Sequence, residues 1–377
     1  MSAVLSEANP DERRMLADSV AGFVRQGKDN NGVHRARAVK AGASPLDRET
    51  WQQMADLGWL GIAVPEASGG LGLGVGELAV VAEGLGGEAA PEPFVATAFA
   101  QAVLAGCDNA ELVDELLGAS ATGDTLLAVA WQPAVASLAL DELDERLEGG
   151  RLTATRRLVQ PSGADVFVVA VRDENGLALY RLPCDTPGVT VETQTQVDGH
   201  AVATLVCDGV ELGAADCLAA GAVGEAALLR GLCVARVAAS AELLGLADRL
   251  FTLTSDYLAS RKQFGAQLSS FQVLRHRAVD LYIQRELMRN ALRQAVRAFD
   301  SGADLVAVQR AAARAKSRCA DAALKIAREA VQLHGAIGYT EEADVGVYLR
   351  RVIALAAWLG NATAQRREYA RLTRAAA

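Results

Sequence analysis

The apolar spacing of this chain changes period twice, and that double change limits its fold more than any single motif. Up to about residue 121 apolar residues recur at helical intervals; between 126 and 212 they break into short runs; beyond Leu218 helical spacing returns in longer segments. The middle runs are LLAVAW, RLTATRRLV, DVFVVAV, LALYRLP, VTVETQT and ATLVCDGVEL, bounded by Gly, Pro, Asp and Asn with no helix between them. Such a run of strands predicts a small antiparallel barrel or sandwich, not a parallel sheet with crossover helices. The last part reads as four Ala- and Leu-rich amphipathic segments at 224–259, 271–299, 305–333 and 345–376, joined by short Gly-bearing links, the pattern of an antiparallel four-helix bundle. The expected fold class is α+β: an N-terminal helical domain over 1–121, a middle β-domain over 122–222 and a C-terminal bundle over 223–377.

Within the first part, residues 11–26 place Met15, Leu16, Val20, Phe23 and Val24 at helical spacing behind leading acids, as the helix dipole prefers. Ser44 offers an N-cap with Pro45 at the first helical position of a segment running through Trp51 and Met54 to Leu57. The stretch GWLGIAVPEASGGLGLG lacks a GxGxxG between strand and helix, so it predicts a loop wrapped between helices and no dinucleotide or P-loop fingerprint. Helices follow at about 75–85, 93–105 and 110–117. The acidic tract DELDERLEGG predicts a solvated helix or a hairpin tip.

A net charge of -9 and a pI near 5.2 argue against a nucleic-acid partner, which needs clustered Lys and Arg. No stretch is long and apolar enough to span a bilayer, and the N-terminus has no sustained apolar region, so a cytoplasmic enzyme or enzyme subunit is expected. The 6 cysteines form no CxxC pair and the 4 histidines never reach metal-ligand spacing, which predicts reduced packing thiols and no metal.

One stretch stands out, the apolar helix that ends in RKQFG and continues to FQ. Local physics explains Arg261 and Lys262 as cations in a last helical turn and Gly265 as its cap. The company of this stretch suggests more. With RKQFG between the first two long helices and QLHGAIGYTEE between the third and fourth, and with WQQMADLGWLGIAVPEASGGLGLG, ATLVCDGVEL and ARVAASAELLGLADRLFTLTSDYLASRKQFG in the same order, the chain resembles the acyl-CoA dehydrogenase family over essentially its whole length.

That resemblance implies an FAD enzyme in which a carboxylate takes the α-proton of an acyl-CoA thioester and the β-hydride passes to flavin. It also implies that Arg261, Phe264, Gln272, Gln332, Gly335 and Ala336 reach across a subunit interface to the pyrophosphate and adenosine of an FAD whose ring lies in the neighbouring subunit. Ala336 stands where Gly is usual. An Arg suits a pyrophosphate because its planar fork grips two oxygens.

Two other family features are missing. The loop and strand that would pack on the flavin ring read LLAVAWQPAVAS and RRLVQPSGAD, so Val159 and Gln160 replace hydroxyl and aromatic contacts unless a shifted loop or Trp131 substitutes. In the last helix the family's catalytic Glu is matched by Leu359, within Trp358, Leu359, Gly360, Asn361, Ala362, Thr363; the alternative position before a retained Arg holds Ala235, before Arg236. Both usual base positions are empty. Glu242, two turns beyond Ala235 and about 10 Å away along a helix, remains open as a relocated base, as the partner of an Arg on another helix, or as a residue at a subunit seam.

These features predict a subunit of a heteromeric dehydrogenase, such as an α2β2 enzyme, that completes the FAD site of a second acyl-CoA dehydrogenase-like subunit. A self-sufficient homo-oligomer using Glu242 and a non-catalytic structural or regulatory partner are the alternatives. Steroid or polyketide thioesters are the substrate classes that such enzymes suggest, and sharing of FAD implies at least a dimer.

Overall fold

The computed structural model describes residues 10–25, 32–143, 147–173 and 176–375. Among the described residues six α-helices come first: α1 (Pro10–Arg25), α2 (Gly32–Lys40), α3 (Arg48–Asp56), α4 (Val75–Gly87), α5 (Phe94–Leu104) and α6 (Ala110–Ala121). Strands follow, seven among the described residues: β1 (Leu127–Ala130), β2 (Arg151–Val159), β3 (Val166–Asp173), β4 (Gly176–Pro183), β5 (Val189–Thr195), β6 (Ala201–Glu211) and β7 (Cys217–Ala220). The chain then becomes helical again through α7 (Gly221–Ser260), a hairpin of β8 (Lys262–Gln263) and β9 (Ala266–Gln267), α8 (Gln272–Asp300), α9 (Leu305–His334), α10 (Val345–Ala357) and α11 (Ala362–Ala375). The architecture is α+β, with helices before and after a sheet region.

α7 is the axis of the molecule. Every residue from Gly231 to Ala247 is buried, and α4, α5, α8, α9 and α10 all pack on it. Close backbone approach makes this possible. A Cβ on Gly245 would lie 1.9 Å from the Glu83 carbonyl oxygen in α4, and one on Gly86 would lie 2.3 Å from the Glu242 carbonyl oxygen in α7. On the α5 side, a Cβ on Gly231 would lie 2.3 Å from Val103. A buried ion pair ties the first helix in: Arg13 Nε donates to Glu77 in α4 at 2.7 Å, and its guanidinium reaches Asp300 at the end of α8 at 3.1 Å.

The sheet region differs from a purely antiparallel barrel. Two sheets form, ordered β1-β3-β4-β7 and β2-β6-β5, and β1 pairs with β3 in parallel, Leu127 opposite Val166. Among the described residues they touch at the isolated Gln132–Arg157 bridge without closing a ring. Their inner faces share one apolar core that includes Val169, Val171, Leu205, Cys207 and Val210. Arg156, fully buried, donates to the Ala170 carbonyl across this core at 2.9 and 3.1 Å. The parallel pair arises because the segment after β1 crosses to the second sheet before β3 returns beside β1.

Other expectations are corrected in detail. Asp47, not Ser44, caps α3, accepting from the Thr50 amide at 3.3 Å, while the Ser44 hydroxyl turns to the Leu46 backbone. α2 and β7 add to the elements that the periodicity predicts. The helix expected at 11–26 is α1, and Gln26 lies outside the described residues. The acidic tract gives a short turn at Leu140–Glu142 and a Glu148–Arg151 bridge over two glycines, with residues 144–146 outside the described residues. The fourth bundle segment is two helices, α10 and α11, broken at Trp358–Asn361. Gly265 is no helix cap: with Phe264 at φ 52° and Gly265 at 77°, it makes the two-residue turn of the β8–β9 hairpin, which needs positive φ at both positions.

Gly245→Ala should destabilise the protein by about 1–3 kcal/mol or more through forced separation of α4 and α7. Gly22→Ala, where an added Cβ meets nothing within 4 Å, should be neutral or slightly stabilising through helix propensity. Urea denaturation of both variants decides it; equal midpoints would contradict the glycine crossing.

Candidate functional site

The two motif segments form one surface. Tyr257 in the last turn of α7 stacks on His334 at the end of α9, ring centroids 4.4 Å apart and planes 22° apart. That contact sets RKQFG beside the short turn Gly335–Tyr339 that carries Gly335 and Ala336. The hairpin turn projects Phe264, 89% exposed, and Arg261, Gln272, Gln332, Gly335 and Ala336 are exposed too. Among the described residues the side chains of Arg261, Gln272 and Gln332 have no hydrogen-bond partner. Apolar side chains continue beside them along α8, where Val273, Val279, Ile283 and Leu287 are 65, 55, 47 and 45% exposed. A donor fork, two amides and an aromatic ring on an open face can hold an anionic, aromatic group only if something else covers its far side.

The turn at Leu359, where the resemblance leads one to expect a base, is well defined. Leu359 is buried at φ 58°, a left-handed conformation that costs a side-chain-bearing residue roughly 1–2 kcal/mol. Surrounding bonds hold it there. Its carbonyl accepts from Gln365 Nε2 at 2.5 Å, and Asn361 caps α11 by accepting from the Ala364 amide at 3.0 Å. From below, the Lys316 ammonium reaches the carbonyls of Leu355 and Ala356 at 3.1 Å each and Gly360 at 3.5 Å. The first two are orphan acceptors of the α10 C-terminus, the third belongs to the turn beyond it, and Lys316 has three donors to offer. Burial pushes its pKa down to about 7. Ala235 is wholly enclosed in the core.

Of the roles open to Glu242, the structure shows the ion pair. Its carboxylate accepts from Arg351 Nε of α10 at 2.7 Å, and Arg351 also meets Asp198 at 3.2 Å. His200 lies 3.1 Å from Asp198, and its Nε2 is 2.9 Å from the Pro91 carbonyl. Nearby, Glu92 is buried and paired with Arg35. Burial alone would raise the Asp198 pKa, but the side chains of His200 and Arg351 overcome it and hold the carboxyl at about 2. Burial likewise works to lower the Arg351 pKa, and Glu242 and Asp198 together raise it above the usual range. Glu92 moves the other way, its burial outweighing the pull of Arg35 and raising its pKa.

These groups surround a cavity of about 240 Å³ lined by Glu92, Gln160, Pro161, His200, Arg351 and Trp358 among others. It is smaller than ordinary small-molecule sites of roughly 300–1,000 Å³. Glu242 does not line it. Val159 is buried in the core between the sheets and Trp131 in the main core, so neither presents a face to the cavity. Sequence reasoning missed Asp198, His200, Arg351, Arg35 and Glu92. The available signal was Glu242 itself, an acid among Val, Ala, Leu and Gly that requires a buried cation.

Two sequence models of one family match the chain: acyl-CoA dehydrogenase, N-terminal domain, over residues 10–124, and acyl-CoA dehydrogenase, C-terminal domain, over residues 223–372. The chain is 30% identical to acyl-CoA dehydrogenase FadE27 of Mycobacterium tuberculosis over 86% of this chain and 88% of that protein. It is 29% identical to acyl-CoA dehydrogenase IpdE2 of the same organism over 91% of each. Among solved structures it superposes on a variant of the Tcur3481-Tcur3483 steroid ACAD with a TM-score of 0.86, at 30% identity, covering 97% of this chain and 98% of that one. A TM-score of 0.87 relates it to the ChsE4-ChsE5 complex from Mycobacterium tuberculosis, at 26% identity over 98% of this chain and 99% of the other. No helix among the described residues is long and apolar enough to cross a membrane.

The lowered Asp198 pKa gives a signed pH dependence. A carboxyl moved from 3.8 to about 2 stabilises the fold by about 2 kcal/mol above pH 4, and this contribution is lost as pH falls through 2. Asp198→Asn should therefore be less stable than the parent at pH 6, and the gap should narrow steadily from pH 4 to pH 2. Urea midpoints across that range test it; a constant gap would show that Asp198 is not held in its charged form by these partners.

Proposed function

We propose that this chain, which belongs to the acyl-CoA dehydrogenase family, acts as the base-lacking subunit of a heteromeric acyl-CoA dehydrogenase. It completes an FAD site whose ring is held by a second subunit of the same family. When bound, the flavin supplies the hydride acceptor for α,β-dehydrogenation of an acyl-CoA thioester. One observation carries this reading: the half of the site that faces outward is uncommitted, while the half that would do chemistry is filled and paired.

Arg261 lies on the exposed surface with no partner of its own among the described residues, beside Phe264, Gln272 and Gln332. These residues suit the pyrophosphate and adenosine end of the cofactor. The inward half does not suit the ring. Val159 is turned into the sheet core, the cavity beside Gln160 is small, and its charges are already paired with one another. Leu359 carries no group able to accept a proton, and Glu242 is bonded to Arg351.

The apolar face of α8 beside Phe264 supports a protein partner, since exposed apolar patches of this kind mark interaction surfaces. Two of the similar solved structures are named as paired assemblies, Tcur3481-Tcur3483 and ChsE4-ChsE5, and the first is named a steroid ACAD. A partner subunit of the same family, and the thioester of a bulky ring-bearing acid as substrate of the complex, follow from that likeness.

The test is co-expression with the acyl-CoA dehydrogenase-like product of a neighbouring gene. The lone chain should purify with little flavin and no acyl-CoA oxidation, and the complex should carry both. Arg261→Ala in the complex should weaken FAD retention roughly 10- to 100-fold, the size of a lost charge-assisted hydrogen bond of about 1.5–3 kcal/mol, with Arg261→Lys only partly restoring it. Full flavin and activity in the lone chain, or unchanged FAD in the Arg261→Ala complex, would overturn the proposal.

A further inference from the structure

Charge is spread unevenly along this chain. α8 carries 6 arginines against 3 acids and α9 carries 6 cations against 2 acids, a net of +7 on two neighbouring helices in a chain whose formal charge is -9. The remainder of the sequence therefore stands at -16. Cations gathered on adjacent helices repel one another and cost the fold stability, so the asymmetry calls for a compensating role.

Most acids of the two helices are already answered within the chain. Glu286 accepts from Arg289 at 2.6 Å, Glu329 from Arg277 at 2.9 Å, Asp300 from Arg13 at 3.1 Å, and Asp321 from Arg366. Asp280 is the exception, exposed and without a partner among the described residues. The cations divide differently. Arg275 on α8 and Arg314, Lys325 and Arg328 on α9 are exposed, and among the described residues none of these side chains has a hydrogen bond or an ion pair.

Helix geometry gathers these groups. Arg314, Lys325, Arg328 and Gln332 lie near whole turns apart on α9, so they form one stripe that ends in the outward half of the proposed cofactor site. Arg277 to Glu329 and Arg318 to Gln284 hold α9 beside α8, and the stripe runs next to the exposed Val273, Ile283 and Leu287 of α8. Apolar side chains edged by unpaired cations are matched by a surface that is apolar with an acidic edge. A second copy of this chain matches poorly, since it would bring four more free cations and one free acid to the contact, and like charges across an interface oppose association. Continuity points to the partner. Arg328 is one turn from Gln332, and Val273 follows Gln272, so whatever covers the cofactor half-site also reaches this stripe.

We propose that the outward face of α8 and α9 docks the acidic face of an unlike subunit, so that charge selects this partner over a second copy of the same chain. The identity of that subunit, a second member of the acyl-CoA dehydrogenase family, rests on the shared-cofactor reading. Opposite potentials speed the encounter of the two subunits, and salt screens that attraction. An anionic lipid surface would attract the same cations, but it offers no fixed acceptors to the amides of Gln272 and Gln332 at the end of the stripe.

The test uses the full chain and the acyl-CoA dehydrogenase-like product of the neighbouring gene. Affinity is measured by titration calorimetry at about 50 and about 500 mM NaCl, with FAD content read separately. Affinity should fall at least about tenfold between the two salts, and at low salt this chain should bind the partner at least about tenfold more tightly than it binds itself. Lys325→Glu with Arg328→Glu should weaken the complex at least about tenfold at low salt and much less at high salt. Lys325→Gln with Arg328→Gln should lie between, at an unchanged melting temperature of the lone chain. A complex that carries FAD but ignores both salt and charge reversal would overturn this inference and leave the shared-cofactor reading standing. Salt-dependent pairing in which Arg261→Ala leaves FAD content unchanged would uphold the inference and remove that reading. Self-association as tight as partner binding would overturn the inference. So would co-sedimentation with phosphatidylglycerol vesicles that the double reversal abolishes while the complex with the partner is unaffected.

Discussion

The contact on which the rest depends is the crossing of α4 over α7 at Gly86 and Gly245. With no Cβ on either residue, the two backbones come close enough for the Glu83 and Glu242 carbonyls to occupy the space that side chains would need. This draws α7 into the centre, where it serves α4, α5, α8, α9 and α10 at once. It also fixes an acid at the crossing. Glu242 cannot leave the interior without pulling the crossing apart, so its charge has to be met where it stands. Arg351 of α10 meets it, and Asp198 of the turn before β6 meets the remaining face of Arg351. A steric fact about two glycines thus becomes an electrostatic fact about three distant segments.

The break between α10 and α11 shows the same dependence of one requirement on another. Near its end α10 leaves the Leu355 and Ala356 carbonyls to Lys316 of α9, which also reaches the Gly360 carbonyl in the turn beyond. Leu359 then sits in a left-handed turn that its own side chain disfavours, held by Gln365 and by the lysine beneath. The architecture around the position is complete while the side chain at its tip has no ionisable group. Shape and chemistry have separated at this point: the turn is still built, and what it presents is apolar.

Much of this was legible in the chain. Periodicity separated helices from strands, and the order of the motifs placed RKQFG and QLHGAIG on neighbouring helix ends, which the Tyr257–His334 stack joins. Failures came where two local solutions were equally good or where the answer lay far away in sequence. Ser44 and Asp47 are both able caps, and only the path of the chain selects Asp47. Gly265 suits a helix stop or a hairpin turn, and the pairing of Lys262 with Gln267 selects the turn. The isolated Glu242 announced that a cation must be near. It could not say which of 37 lysines and arginines supplied it, and the one that does lies 109 residues away.

Commitment of charged groups separates the regions of this molecule by what they can still bind. Glu242, Asp198 and Glu92 on one side and Arg351 and Arg35 on the other answer each other inside the fold. A ligand that drew on one of these charges would have to break a buried pair, and breaking one typically costs about 3–5 kcal/mol. Arg261 is different. It stands in solvent beside an exposed aromatic ring, with no acid bonded to it among the described residues. Binding a ligand there breaks no ion pair within the chain. Recognition by this protein is therefore sought where a guanidinium group remains unspent, at the outward surface beside Phe264.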